Sequence, residues 1–126
     1  MTEIMMSIRP KWVDLILKLQ KRAELRTSRP RQSTPFRVFI YQTEHGGVVG
    51  EFTCDFIESA IGHEINEEFL EDTFVAVPDA LTYAFGKPLY KWMIRSLIIY
   101  PKPRSLSAYG FDRAPQSWCY VKGEPE

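Results

Sequence analysis

The sequence predicts an α+β fold built on a mostly antiparallel sheet, curled or closed into a small barrel, with a few short helices. Three observations carry this expectation. Trp12, Leu15, Ile16 and Leu19 fall at i, i+3, i+4 and i+7, one stripe of an amphipathic helix, and after Gln20 the period changes from 3.6 to two. A β-branched and aromatic run from Arg37 to Thr43 is broken at Gly46-Gly47 and resumes at Val48, the pattern of a hairpin. The remaining apolar segments read as strands joined by loops, with a few helices between them.

Taken in order, Met5, Met6 and Ile8 form a short strand ended by Pro10, a residue suited to the first turn of the helix that follows. That helix is expected to run to about Leu19, with Lys11, Asp14 and Lys18 on its wet side. Arg22, Glu24 and Arg26 then alternate with Ala23 and Leu25, giving a short strand with one charged face. Thr27 to Pro35, with Ser, Arg, Gln and two prolines, reads as a surface loop. The hairpin's second strand runs from Val48 to Ile57, with Phe52, Cys54 and Phe56 toward the core. Asn66 to Phe74 is an acidic amphipathic segment, and Pro78 to Phe85 is a second short helix closed by Gly86. Leu89 to Tyr100 is a long strand ended by Pro101 and Pro103, and Trp118 to Val121 is the last strand.

A chain of 126 residues fits one domain, residues 1–126. With 44% hydrophobic and 13% aromatic residues it can bury a core without a disulfide or a structural metal. The densest apolar run, Leu97 to Tyr100, is far short of the roughly 20 residues of a membrane span. No signal peptide is expected. Cys54 and Cys119 are isolated, without zinc-site spacing, so a reducing cytoplasmic location is the expectation, with no metal and no cofactor.

Sixteen basic residues balance sixteen acidic ones, yet they are segregated. From Arg9 to Arg37 nine basic residues face two acidic ones, a balance of +7. Val38 to Gly86 has ten acidic residues and no Lys or Arg, and the tail from Lys87 returns to +4. Either the two basic segments meet in a phosphate-attracting face, or they pair with the acidic middle.

Catalytic signatures are absent: there is no nucleophile elbow, no phosphate-cradling glycine loop and no His/Cys cluster. His45 and His63 sit beside glycines as turn residues. The informative stretch is Lys21-Arg22-Ala23-Glu24-Leu25-Arg26, which spacing alone describes as a solvated strand edge with weak ion pairs.

That stretch resembles the signature of the ASCH domain, the activating signal cointegrator homology family of PUA-like β-barrels, whose pattern is Gly-x-Lys-x-x-Glu-x-Arg. Lys21, Glu24 and Arg26 match, and Leu19 stands where the family has Gly. Ser7-Ile8-Arg9-Pro10 followed by Trp12 is similar to the family's opening strand and helix, and Val48-Val49-Gly50-Glu51-Phe52 resembles its central strand. Ala114-Pro115-Gln116-Ser117-Trp118 resembles its closing Pro-Pro-Gln-Ser-aromatic segment, with Ala114 for the first Pro.

The resemblance implies a cleft lined by Lys21, Glu24 and Arg26 that takes RNA or a modified nucleotide. Arg26 would fork onto a phosphate or base edge, Lys21 would supply a mobile charge, and Glu24 would accept from a base amino group or hold the two cations. Arg9, Gln116 and Ser117 belong to the expected ligand-binding set, with Trp12 and Tyr41 as stacking surfaces and Trp118 as a third aromatic candidate. The alternative is a small hydrolase using the same cleft through Lys21, Glu24 and Ser117, because some relatives are amidohydrolases of an acylated cytidine and others ribonucleases. In those amidohydrolases a Thr occupies the position of Glu24, so their hydroxyl nucleophile is missing here. A third expectation is a protein partner docked on the acidic middle segment.

Overall fold

Ile4, Met5, Met6 and Ile8 leave a strand almost no polar side, and such a strand is stable only where both faces are covered. In the computed structural model, which describes residues 2–122, it is buried along its whole length. The chain runs through β1 (Ile4–Ile8), α1 (Pro10–Leu17), β2 (Ala23–Arg26), β3 (Phe36–Gln42), β4 (Gly47–Cys54) and β5 (Ile57–Ala60). It continues through α2 (Val77–Ala84), β6 (Leu89–Met93), β7 (Arg95–Arg104) and β8 (Trp118–Tyr120), with single 3-10 turns at Gly62–Glu64 and Leu106–Tyr109.

The strands form two sheets rather than the closed barrel that the sequence suggested. One has the order β7-β4-β3-β1-β8 and the other β2-β6-β5. All pairings are antiparallel except β1 with β3, which run parallel because α1, β2 and the 27–35 loop make the crossover between them. The two long strands predicted at Val48–Ile57 and Leu89–Tyr100 each divide at a corner, becoming β4 and β5, and β6 and β7. Their pairing is kept on both sides of it, β4 with β7 and β5 with β6, so one antiparallel ribbon bends from the first sheet into the second. The alternation breaks at the bend, where Phe56, expected in the core, is exposed. β7 runs on through Pro101 and Pro103 to Arg104 because it is an edge strand and needs no donor on its open side. Gly50 allows β4 and β7 to approach there: a Cβ on it would stand 2.5 Å from the Ile98 carbonyl oxygen.

Ile4, Met6 and Ile8 of β1 pack with Val13 and Ile16 of α1 and with Trp92, while Met5 joins Phe39, Val48 and Tyr100 on the opposite face of the sheet. Val13 and Ile16 are the buried helix positions; Trp12 is half-buried. A third cluster places Ala80 and Ala84 of α2 over Leu25, Phe69 and Leu89. The acidic amphipathic segment Asn66–Phe74 forms a run of turns, with Phe69 and Leu70 anchored in that cluster.

α1 ends two residues earlier than its stripe suggested, in a Schellman turn. The Gln20 N–H donates to Leu15 O at 2.9 Å and the Leu19 N–H to Ile16 O at 2.9 Å. Leu19 is therefore left-handed, with φ 62°, at the position where the resembled signature has Gly, and its side chain is 61% exposed. A leucine in that conformation costs roughly 1–2 kcal/mol, partly offset by its smaller entropy in the unfolded chain. Leu19→Gly is expected to stabilise the protein by about 0.5–1 kcal/mol. Urea titration of both proteins measures this, and an equal or lower midpoint for the variant would contradict a strained turn.

Candidate functional site

Lys21 leaves the Schellman turn pointing inward, and the short β2 that follows carries Glu24 and Arg26 on one face. The alternation is as read from sequence, but the charged face is not solvated: the Lys21 and Glu24 side chains are 0% and 5% exposed and Arg26 only 11%. The Glu24 carboxylate holds both cations, Oε1 at 3.1 Å from Lys21 Nζ and Oε2 at 3.1 Å from Arg26 Nη1. Lys21 also donates to the Thr73 carbonyl and lies 4.7 Å from the Trp12 ring centroid. Arg26 donates through Nη2 to Ser7 O at 2.7 Å and through Nη1 to Leu25 O at 2.9 Å.

These contacts set one wall of a cleft of about 490 Å³. The end of β1 contributes Ser7, Ile8 and Arg9, β2 contributes Glu24 and Arg26, and α1 contributes Trp12. Gln116 and Ser117, from the segment before β8, lie across from them because the Ser7 N–H donates to Ser117 O at 2.9 Å and the Ser7 hydroxyl to Pro115 O at 2.6 Å. The cleft lies between the end of β1 and β2, which share no backbone pairing and are joined there by the Arg26 side chain.

Charge in this wall is biased toward positive. Burial by itself would raise the Glu24 carboxyl, but Arg26 and Lys21 outweigh it and hold it below the ordinary glutamate value. Burial pulls the Lys21 ammonium below the ordinary lysine value, against the attraction of Glu24. One carboxylate thus serves two cations. Arg9 is exposed in the cleft and has no ion-pair partner among the described residues.

Of the residues singled out in the sequence, Arg9, Trp12, Glu24, Arg26, Gln116 and Ser117 come together in this cleft. Lys21 does not line it. Its ammonium is spent behind Glu24, so it is a buried support for the carboxylate and not the mobile charge expected. Tyr41 packs against the cluster on the far face of the first sheet, since β3 side chains alternate and Ile40 takes the near face. Trp118 packs on the main core and donates to Ser28 Oγ at 2.9 Å. Sequence reasoning missed Thr43 and the contribution of α2, which turns Asp79 and Tyr83 into the cleft. Their i, i+4 spacing marks one helix face, but nothing in the sequence says which element that face meets.

Removing Glu24 leaves a buried lysine and a near-buried arginine unpaired, so Glu24→Ala is expected to cost about 3–5 kcal/mol of stability. The lowered Glu24 pKa means that the unfolded chain takes up a proton first on acidification. Its contribution is present above about pH 4.3 and is lost as pH falls through the lower folded value. Thermal melts from pH 6 to pH 3 should show a steeper loss for the wild type than for Glu24→Gln; parallel curves would contradict a buried, ionised Glu24.

No protein-family model and no curated protein sequence matches the chain. Among solved structures it is similar to the ASCH protein of Zymomonas mobilis, with TM-score 0.80 and 20% identity over 95% of this chain and 87% of that one. It is equally similar to two variants of that protein. The one with a Tyr-to-Phe change gives TM-score 0.81 and 19% identity over 95% and 90% of the two chains. The one with a Ser-to-Ala change gives 0.81 and 18% over 95% and 88%. The likeness spans nearly the whole chain, and from it the chain is seen to have the fold of an ASCH domain.

Proposed function

We propose that the cleft binds a nucleotide unit, within RNA or as a free or modified nucleotide. The observation that carries this reading is the fixed guanidinium of Arg26 in its wall. Three of its five N–H donors are taken by Ser7 O, Leu25 O and Glu24, which orients the group. The remaining two are available to a phosphate or a base edge. Arg9 adds an unpaired cation at the rim, and Trp12 and Tyr83 add aromatic surface. The exposed Lys11 ammonium, 4.6 Å from the Trp12 centroid, has no hydrogen bond or ion pair among the described residues, so a stacking base displaces it cheaply. Asp79 offers an acceptor for a base amino group. A volume of about 490 Å³ is in the range of small-molecule sites.

Affinity for short single-stranded RNA is expected to fall as salt rises, because cleft cations displace phosphate counterions. Arg26→Ala and Arg9→Ala should each weaken binding by about 1–3 kcal/mol. Arg104→Ala is the control, since that guanidinium lies 3.7 Å from the Tyr100 ring and is remote from the cleft residues. Fluorescence anisotropy at low and moderate salt measures all four proteins, and equal losses in the three variants would refute a cleft-centred site.

The hydrolase alternative draws on one observation, that Ser117 lines the same cleft as Glu24. Against it, the Lys21 ammonium bonds Glu24 and Thr73 O and supplies no base at the ligand. Incubation with acylated cytidine and with labelled RNA is expected to release no product. Turnover that disappears in folded Ser117→Ala would replace the binding reading with the hydrolytic one.

A further inference from the structure

Two segments lead away from the cleft, and they leave it together. The 27–35 loop follows Arg26, and β8 follows Ser117. Trp118 Nε1 donates to Ser28 Oγ at 2.9 Å, the Arg31 backbone N–H donates to the Tyr120 hydroxyl at 3.1 Å, and the Thr2 N–H donates to the Gln32 side-chain oxygen at 3.2 Å. The loop is thereby laid along β8, an edge strand of the first sheet. Arg29 braces it from within, Nε to Pro30 O at 3.2 Å and Nη2 to Gln32 O at 3.4 Å.

What this arrangement presents outward is basic and aromatic. Arg31 is exposed, and its guanidinium has no hydrogen bond or ion pair among the described residues. The Tyr120 ring is 41% exposed and is mounted edge-on against Trp118, centroids 5.5 Å apart at 87°. Trp118 in turn meets the buried Trp92 at 5.6 Å, so the outer ring stands on a column fixed in the core. The neighbouring acid does not oppose an anion: Glu3, whose carbonyl accepts the Val121 N–H at 2.8 Å, has its carboxylate 3.1 Å from Arg37. From Ser117 to Tyr120 is three strand steps, about 10 Å, the length of two or three stacked nucleotides.

We infer, resting on the reading that the cleft takes a nucleotide, that its occupant is part of a single RNA strand whose flanking nucleotides run along the 27–35 loop. Arg31 meets one of their phosphates, and Tyr120 stacks one of their bases. The site so defined covers three or four nucleotides and discriminates against free mononucleotides by the contacts they cannot make.

The test compares, by calorimetry at low salt, the four ribonucleoside monophosphates with the four homopolymeric ribotetranucleotides. The tetranucleotide of the preferred base should bind at least tenfold tighter than its monophosphate. Arg31→Ala should remove fivefold or more of that gain, leave the monophosphate unchanged, and lower the salt slope by about 0.7. Tyr120→Phe, which gives up the loop contact and keeps the ring, should retain the gain that Tyr120→Ala loses. Equal affinity for monomer and tetramer, or a gain that survives Arg31→Ala, overturns the strand path and leaves the cleft reading standing. Tetramer binding that depends on Arg31 but not on Arg26 does the reverse, and no binding of any of the eight ligands overturns both.

Discussion

A single buried carboxylate holds three parts of the molecule in register. Glu24 anchors Lys21, whose ammonium reaches the turn at Thr73, and Arg26, whose guanidinium reaches the end of β1 at Ser7. Replace the carboxylate with a neutral apolar group and two cations face each other without water or counter-ion, a far larger penalty than the loss of a surface ion pair. The Arg26 contact matters for shape as well as energy. Both edges of β1 are already paired, with β3 and β8, so β2 of the second sheet is tied to it by a side chain rather than by a ladder of hydrogen bonds.

The gap between the two sheets at this point forms the cleft, which on the proposed reading holds the ligand. Lined by residues of α1, α2 and the segment 115–117 together with β1 and β2, the cleft brings two arginines, two aromatic rings and several hydroxyls into one concavity. Because the Arg26 guanidinium is already fixed by protein acceptors, the ligand of the proposed reading would find little ordering entropy left to lose there.

Charge segregation along the chain resolves in two ways at once. Arg37, Lys91 and Arg95 pair with Glu51, Glu58 and Asp55 of the acidic middle, as a compact fold with complementary segments should. Lys91 does so from a nearly buried position, donating also to Phe69 O at 2.8 Å, so a second lysine braces the acidic turns as Lys21 does. Arg9 and Arg31 are left out of this pairing. They lie at the cleft and on the loop leading from it, each without an ion-pair partner among the described residues.

Local pattern was enough for most of the elements. The period change at Gln20 located β2, Gly46-Gly47 located the hairpin, Pro10 and Pro78 opened the helices, and the likeness of Lys21, Glu24 and Arg26 to a known signature pointed to the region of the cleft. Each of these is a property of a few adjacent residues, which sequence states directly. The two bends that send β4 into β5 and β6 into β7 had no such marker, because a strand that changes sheets keeps its β-branched and aromatic composition and changes only its partners. Burial of the charged face of β2 was hidden for the same reason: alternation shows that two faces differ, and only the packing of α1, Thr73 and the end of β1 shows which is dry. Arg9, Asp79 and Ser117 are separated by up to 108 positions and share one cleft solely because three distant segments converge there. Chemistry and local conformation were readable along the chain, while long-range proximity came from tertiary contacts, since no short-range pattern encodes which surfaces meet.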